Sequence, residues 1–188
     1  MRQQHLIAVA AAFALFFTLP AHAQKLFTRD GVVSFDATAP DSPETIKAIA
    51  KSGTCVLDKS SGAIEMAVLI KGFIFERALM QEHFNENYLE SSKYPKAVFS
   101  GKLDDPASVD LGKDGTYNAK VNGKLTMHGV TKPLNAPVAF MVKGGKVSAS
   151  TKFSVALSDF NISIPSLVSD KVNKMASVNI AANLAPMK

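Results

Sequence analysis

Glu82, His83 and Glu86 place two carboxylates and an imidazole within five residues, the first spot in this chain where chemistry could be sought. On a helix they put a carboxylate and an imidazole on adjacent faces, a spacing found at metal centres. A metal there needs further nitrogen or sulfur ligands, and the chain has none to offer nearby. The stretch therefore reads as a structural helix, with His83 packing and Asn85, Asn87 and Glu90 in water. Beyond residue 23 the only other histidine is His128, which precedes Gly129. Glycine opens backbone conformations closed to other residues, so this pair reads as a turn whose imidazole holds backbone groups by hydrogen bonds. Asp159, in Ser158-Asp159-Phe160, reads as a turn cap. Cys55, the single cysteine, sits in the apolar run Thr54-Cys55-Val56-Leu57. It reads as a buried side chain and not a reactive thiol, and it leaves no internal disulfide. No Ser-His-Asp order, phosphate-cradling glycine loop or convincing carboxylate pair emerges. Catalytic residues, metal ligands and cofactors are accordingly expected to be none, and the protein is expected not to be an enzyme.

The elements that carry these residues follow a period of two, the spacing of half-buried strands. One face collects Ile64, Met66, Val68 and Ile70; another Ala97, Phe99, Gly101 and Leu103; a third Tyr117, Ala119, Val121, Gly123, Leu125 and Met127. The pattern returns at Val138, Phe140 and Val142, at Val147 to Val155, and at Val178 to Leu184. Turn residues at 58–62, 113–115 and 143–145 join such runs at hairpin distance, which predicts neighbours pairing in up-and-down order. Pro133 reads as the entry to a strand. Two segments read as helical. Residues 43–50 follow a Ser42 N-cap with Pro43 at the first position and an Ile46, Ile49, Ala50 stripe. In residues 79–89 the side chains Leu79, Met80, His83, Phe84 and Tyr88 share one face before Tyr94-Pro95 stops the helix.

Several antiparallel strands in one domain must close or be covered. The expected fold is all-β: a single antiparallel up-and-down barrel with one or two short helices. Small inward residues such as Ala97, Gly101, Ala149 and Ala182 either fit a taper or leave a void for a guest. Phe73 and Phe75 either line an entrance or finish a core.

The first 23 residues read as a secretion signal, with Arg2, an apolar run over 6–19 and a small-residue site at Ala21-His22-Ala23. The expectation is cleavage after Ala23, a periplasmic destination and one mature domain over 24–188. The chain carries 21 Lys and Arg against 16 Asp and Glu, the excess lying in the C-terminal half. Such a half could attract anionic head groups or make transient contact with a membrane surface. The stronger reading is that Lys120, Lys124, Lys146 and Lys152 face water at alternating strand positions. They are dispersed, which argues against nucleic acid as a partner.

Three segments carry a resemblance to a known family: Leu79-Met80-Gln81-Glu82-His83-Phe84 through Tyr94-Pro95-Lys96-Ala97-Val98-Phe99, then Gly123-Lys124-Leu125-Thr126-Met127-His128-Gly129, and Ser158-Asp159-Phe160. They resemble the YceI-like family of secreted bacterial lipid-binding proteins. The resemblance implies a lipocalin-like barrel whose interior holds a long-chain isoprenoid or similar lipid, with no covalent step. The chain has no tryptophan, whereas many members carry one in their first strands, so the likeness conveys the ligand class and not its identity.

Inward positions with contact area and no chemistry are the expected ligand-binding residues: Val68, Ile70, Phe99, Val121, Leu125, Phe140 and Phe153. About ten buried methylenes are worth roughly 8 kcal/mol before the cost of association, the scale of a micromolar complex at best. A long chain is thus the guest such a barrel can hold. The competing expectation is a filled barrel that acts through protein contacts in envelope stress or assembly. A wide, empty apolar interior favours the first, a solid one the second.

Overall fold

The computed structural model describes residues 25–187; the expected leader and its cleavage site lie outside them. Among the described residues nine strands run antiparallel to their neighbours: β1 (Lys25–Thr38), β2 (Lys47–Asp58), β3 (Ala63–Leu69), β4 (Ile74–Phe75), β5 (Lys96–Leu103), β6 (Gly115–Met127), β7 (Val130–Lys143), β8 (Lys146–Ala156) and β9 (Val172–Pro186). β1 pairs with both β2 and β9, which closes eight of them into a barrel, while β4 is a two-residue strand laid on β2. Each barrel strand neighbours its successor, the up-and-down order that the alternating sequence dictates. Closure leaves no unpaired edge around the barrel proper.

Following the chain up and down separates two ends. The 58–63, 104–114 and 143–146 connections share one end with both described termini. At the other end lie residues 39–46, 70–95, 128–129 and 157–171, the longer loops. There α1 (Ala78–His83) runs on into a single π-helical turn over Phe84–Tyr88. The helical reading of 79–89 thus corresponds to a real element, although Leu79 faces out, 61% exposed.

The other helical reading is corrected. Residues 43–46 are turn and coil, and Lys47–Asp58 is strand. Ser42 makes a local turn, its Oγ accepting from the Glu44 amide at 3.1 Å and donating to the Glu44 carbonyl at 2.9 Å. Ala48 and Ala50 pair with Phe35 and Val33 of β1, and Ile49 with Ile74 of β4. Cross-strand partners on both sides override a helix-start signature of local origin. Two smaller readings also change. Gly115 begins β6, but the link from β5 runs over 104–114 with a 3₁₀ turn at Pro106–Ser108, so it is no tight hairpin. Pro133 lies inside β7, opposite Lys124, because the strand already starts at Val130.

The tight β6–β7 turn consists of His128 and Gly129 alone, both in left-handed conformation with φ of 51° and 74°. A side chain on Gly129 would stand 2.6 Å from the Tyr94 ring, so only glycine fits. Asp159 lies within a 3₁₀ turn (Leu157–Phe160) that ends at left-handed Asn161.

Candidate functional site

Inward-facing side chains fill the terminal-bearing end of the barrel. Leu26, Leu57, Leu103, Phe140, Val142 and Leu184 are all buried there in one group. Toward the loop end the same faces present Ala97, Ala149 and Ala182, and the interior opens into a cavity of about 320 Å³. Apart from Glu44, Cys55, His83, Tyr88, Ser150, Thr151 and Lys171, its lining is hydrocarbon or thioether. The interior is therefore hollow at one end and solid at the other, which removes the main support for a filled barrel.

Of the seven residues expected to bind a ligand, Val68, Ile70, Phe99, Val121, Leu125 and Phe153 stand on the cavity wall. Phe140 does not: it is fully buried beneath the floor. Ile70 reaches the wall from a 3₁₀ turn (Ile70–Gly72) and not from β3, which stops at Leu69. Phe99 lies across two facing glycines, since a side chain on Gly101 or Gly123 would come within 2.7 or 2.8 Å of its ring tip. The glycine pair makes room for the ring inside the barrel.

The chain builds one part of the wall from segments far apart in sequence. Phe35 of β1 stacks on Phe84 of the π-helical turn at 5.3 Å and meets Phe73 and Phe75 edge-on at 5.5 and 5.7 Å. Phe84 also contacts Phe73 and Phe75, at 5.6 and 5.0 Å. Such geometries add to the area that each ring buries. The alternation placed Phe35 on no predicted strand face, and nothing local links it to Phe84. Phe73 and Phe75 prove to be both core and cavity wall.

Two polar junctions tie the loops at the open end. The Glu44 carboxylate accepts from Arg77 Nη1 at 3.0 Å, and Lys171 Nζ lies 3.5 Å from its other oxygen. The Arg77 hydrogen bond first, then the Lys171 charge, hold this carboxyl below the usual glutamate range. Three loops thus meet at one side chain. At the second junction His128 Nδ1 donates to the Phe160 carbonyl at 2.8 Å, and Nε2 stands 2.8 Å from Glu90 Oε2. The His128 side chain is 10% exposed and Tyr94 packs edge-on against it. The expected backbone-holding role is present, extended by a carboxylate that the sequence did not suggest. His83, expected to pack, is instead largely exposed at the rim. Among the described residues no cluster of three or more His, Cys, Asp or Glu is close enough to hold a metal ion.

Cys55 is buried on the lower wall, and burial pushes its thiol up to about 11. At neutral pH it is a small apolar surface, as expected from its strand.

Comparison with known proteins agrees with the barrel. The model of the YceI-like domain matches residues 20–183. A UPF0312 protein of Pseudomonas putida is 31% identical over 98 residues, 49% of this chain and 47% of that protein. One from Pseudomonas savastanoi is 27% identical over 116 residues, 61% and 47% of the two chains. The chain thus spans about half the length of the curated relatives it matches. Among solved structures, a polyisoprenoid-binding domain from Saccharophagus degradans superposes with a TM-score of 0.75 at 10% identity, covering 88% of this chain and 99% of that one. Burkholderia cenocepacia BcnA superposes at 0.66 with 16% identity, covering 82% and 96%. At these identities the likeness establishes a shared fold.

Proposed function

The chain belongs to the YceI-like domain family, and from that premise we propose that it is a non-catalytic binding protein that holds the apolar chain of an isoprenoid or comparable amphiphile inside its barrel. The observation that carries this reading is the cavity: one-ended, walled by hydrocarbon apart from Cys55, Ser150 and Thr151, and bearing charged groups only where the loops surround its mouth. Its shape suits a long guest. The wall follows β9 from Ala182 to Val172, which a bulge near Val172 reduces to about seven residues of the facing β1, roughly 23 Å of strand at ~3.3 Å per residue. With the ~40° tilt of barrel strands this is a depth of roughly 18 Å, and the β6 side is shallower. The nature of a superposed polyisoprenoid-binding domain points the same way.

The reading extends to the cell. We place the protein in the periplasm after cleavage behind Ala23, where it sequesters or carries its lipid; the intact mass of the exported protein tests the cleavage site. Glu44, His83 and Lys171 at the mouth would surround the polar head while the tail occupies the interior.

The binding itself is tested by titrating delipidated protein with an environment-sensitive naphthylamine dye and displacing it with a long-chain isoprenoid alcohol. The chain has no tryptophan to interfere. Saturable dye emission that the alcohol abolishes, and that short polar alcohols leave intact, is the expected result. Neither dye nor isoprenoid binding to folded protein would refute the reading.

A further inference from the structure

Each barrel strand passes from cavity wall to solid core at a definite residue, and the level of that passage is set by side-chain size. On β7 the wall ends at Val138, and the next inward residue is Phe140, which has no exposed surface. On β8 and β9 the wall continues down to Ala149 and Ala182. These three residues occupy one row, Phe140 opposite Ala149 and Ala149 opposite Ala182. Two of these three side chains are methyl groups, and Tyr117, opposite Phe140 on β6, is only half-buried with its hydroxyl donated to the Lys113 carbonyl, so the Phe140 ring is what fills the cross-section beneath the cavity. Leu57, equally buried, closes the strand across the barrel one inward step below Cys55.

On the footing of the binding function proposed above, we infer that Phe140 is the gauge that sets the longest chain the barrel accepts. An apolar tail entering from the mouth gains contact with each added carbon until its tip meets the Phe140 ring. Beyond that point extra carbons stay outside, in water or among the rim loops. Ala149 makes the gauge adjustable in both directions: shrinking residue 140 lowers the floor, and enlarging residue 149, which faces the cavity beside the ring, raises it. Interior density leaves little slack, so the stop is a sharp one.

The test uses the mature protein, stripped of lipid, and straight-chain primary alcohols of increasing length, each measured by competition with the same dye. For the wild type, affinity rises about fourfold per methylene, as apolar burial dictates, and then levels off at a definite length. In Phe140→Leu the levelling moves to longer chains, and in Ala149→Leu to shorter ones. Levelling at one length in all three folded proteins overturns the gauge while leaving lipid binding intact. Failure of every alcohol to bind the wild type overturns the binding function itself, a different outcome. Should Phe140→Leu not fold, Ala149→Leu decides alone: a shift to shorter chains supports the gauge, and an unmoved or longer limit refutes it.

Discussion

The two ends of this barrel are built from the same strands with the same alternation, yet one is solid and the other hollow. At the terminal-bearing end the inward positions hold Leu57, Leu103, Phe140 and Leu184, large enough to meet across the axis. Ala182, one inward step above Leu184, Ala149, level with Phe140, and Ala97, three inward steps above Leu103, withdraw from it. The loop end keeps a smaller buried cluster of its own, with Ile70, Leu89, Phe160 and Ile162 beside the cavity, together with the aromatic packing under α1 and the Glu44 and His128 junctions. Period two decides which face a residue occupies; side-chain volume decides whether that face bounds a core or a cavity. The closed end is thus core across the whole section, and the open end is a smaller core wrapped around a cavity.

The largest expected effect breaks the hollow half directly. Val121 is 6% exposed on the lower wall, and Val121→Lys places an unpaired charge there at a cost of several kcal/mol. Bound lipid should be expelled, or the fold should melt at a markedly lower temperature; lipid extraction and thermal melts on the same sample separate the two. Next comes the buried thiol. With about 11 in the folded protein against 9.0 in an exposed chain, Cys55 keeps its proton longer when folded. The unfolded chain therefore binds fewer protons between those values, and stability falls as pH rises from about 9 to about 11, by on the order of 2 kcal/mol. Denaturant melts across that range, run beside Cys55→Ala, should show the extra loss in the wild type only.

His128→Asn sharpens the comparison at the loop end. Asparagine tolerates the left-handed backbone but cannot reach both Phe160 and Glu90, so about 1–3 kcal/mol should be lost with the two bonds. Amide exchange should quicken in residues 84–95 and 157–162 while the closed end stays protected; uniform loosening would show that the ends are not separable. Glu44→Gln releases a more exposed junction, weak and screened by salt. Its predicted signature is faster dye exchange with little change in melting temperature, and the wild type should approach the variant as salt is raised. Equal exchange rates in both proteins at low salt would remove Glu44 from the mouth's control. Lys120→Ala, on the outer face beside Val121, should change neither stability nor binding.

The faces of β3 and of β5 to β9 are legible in the sequence because a half-buried sheet writes its faces at every second residue, whereas β1 is assigned no face there and the start of β2 carries a helix signature. Depth is not written there. Phe140 shares its face with Val138 and by alternation alone reads as wall, although only its place along the barrel axis separates core from cavity. Residues 43–50 carry a convincing local helix start, yet their conformation is settled by β1 and β4, partners that no local signal names. The aromatic cluster stayed hidden for a similar reason: Phe35, Phe73 and Phe84 meet only after the barrel closes and α1 folds over it. His128 was readable as a turn residue, whereas Glu90 and Phe160, its partners, come from two other loops.

The most direct measurement is native mass spectrometry of the protein purified without detergent, beside Lys120→Ala and Val121→Lys. The predicted spectrum shows wild type and Lys120→Ala carrying a long-chain isoprenoid or similar lipid at near one-to-one ratio, with folded Val121→Lys empty. Wild-type protein that carries no lipid and takes none up on titration, or Val121→Lys folded and loaded while Lys120→Ala is empty, would contradict a lipid-holding interior.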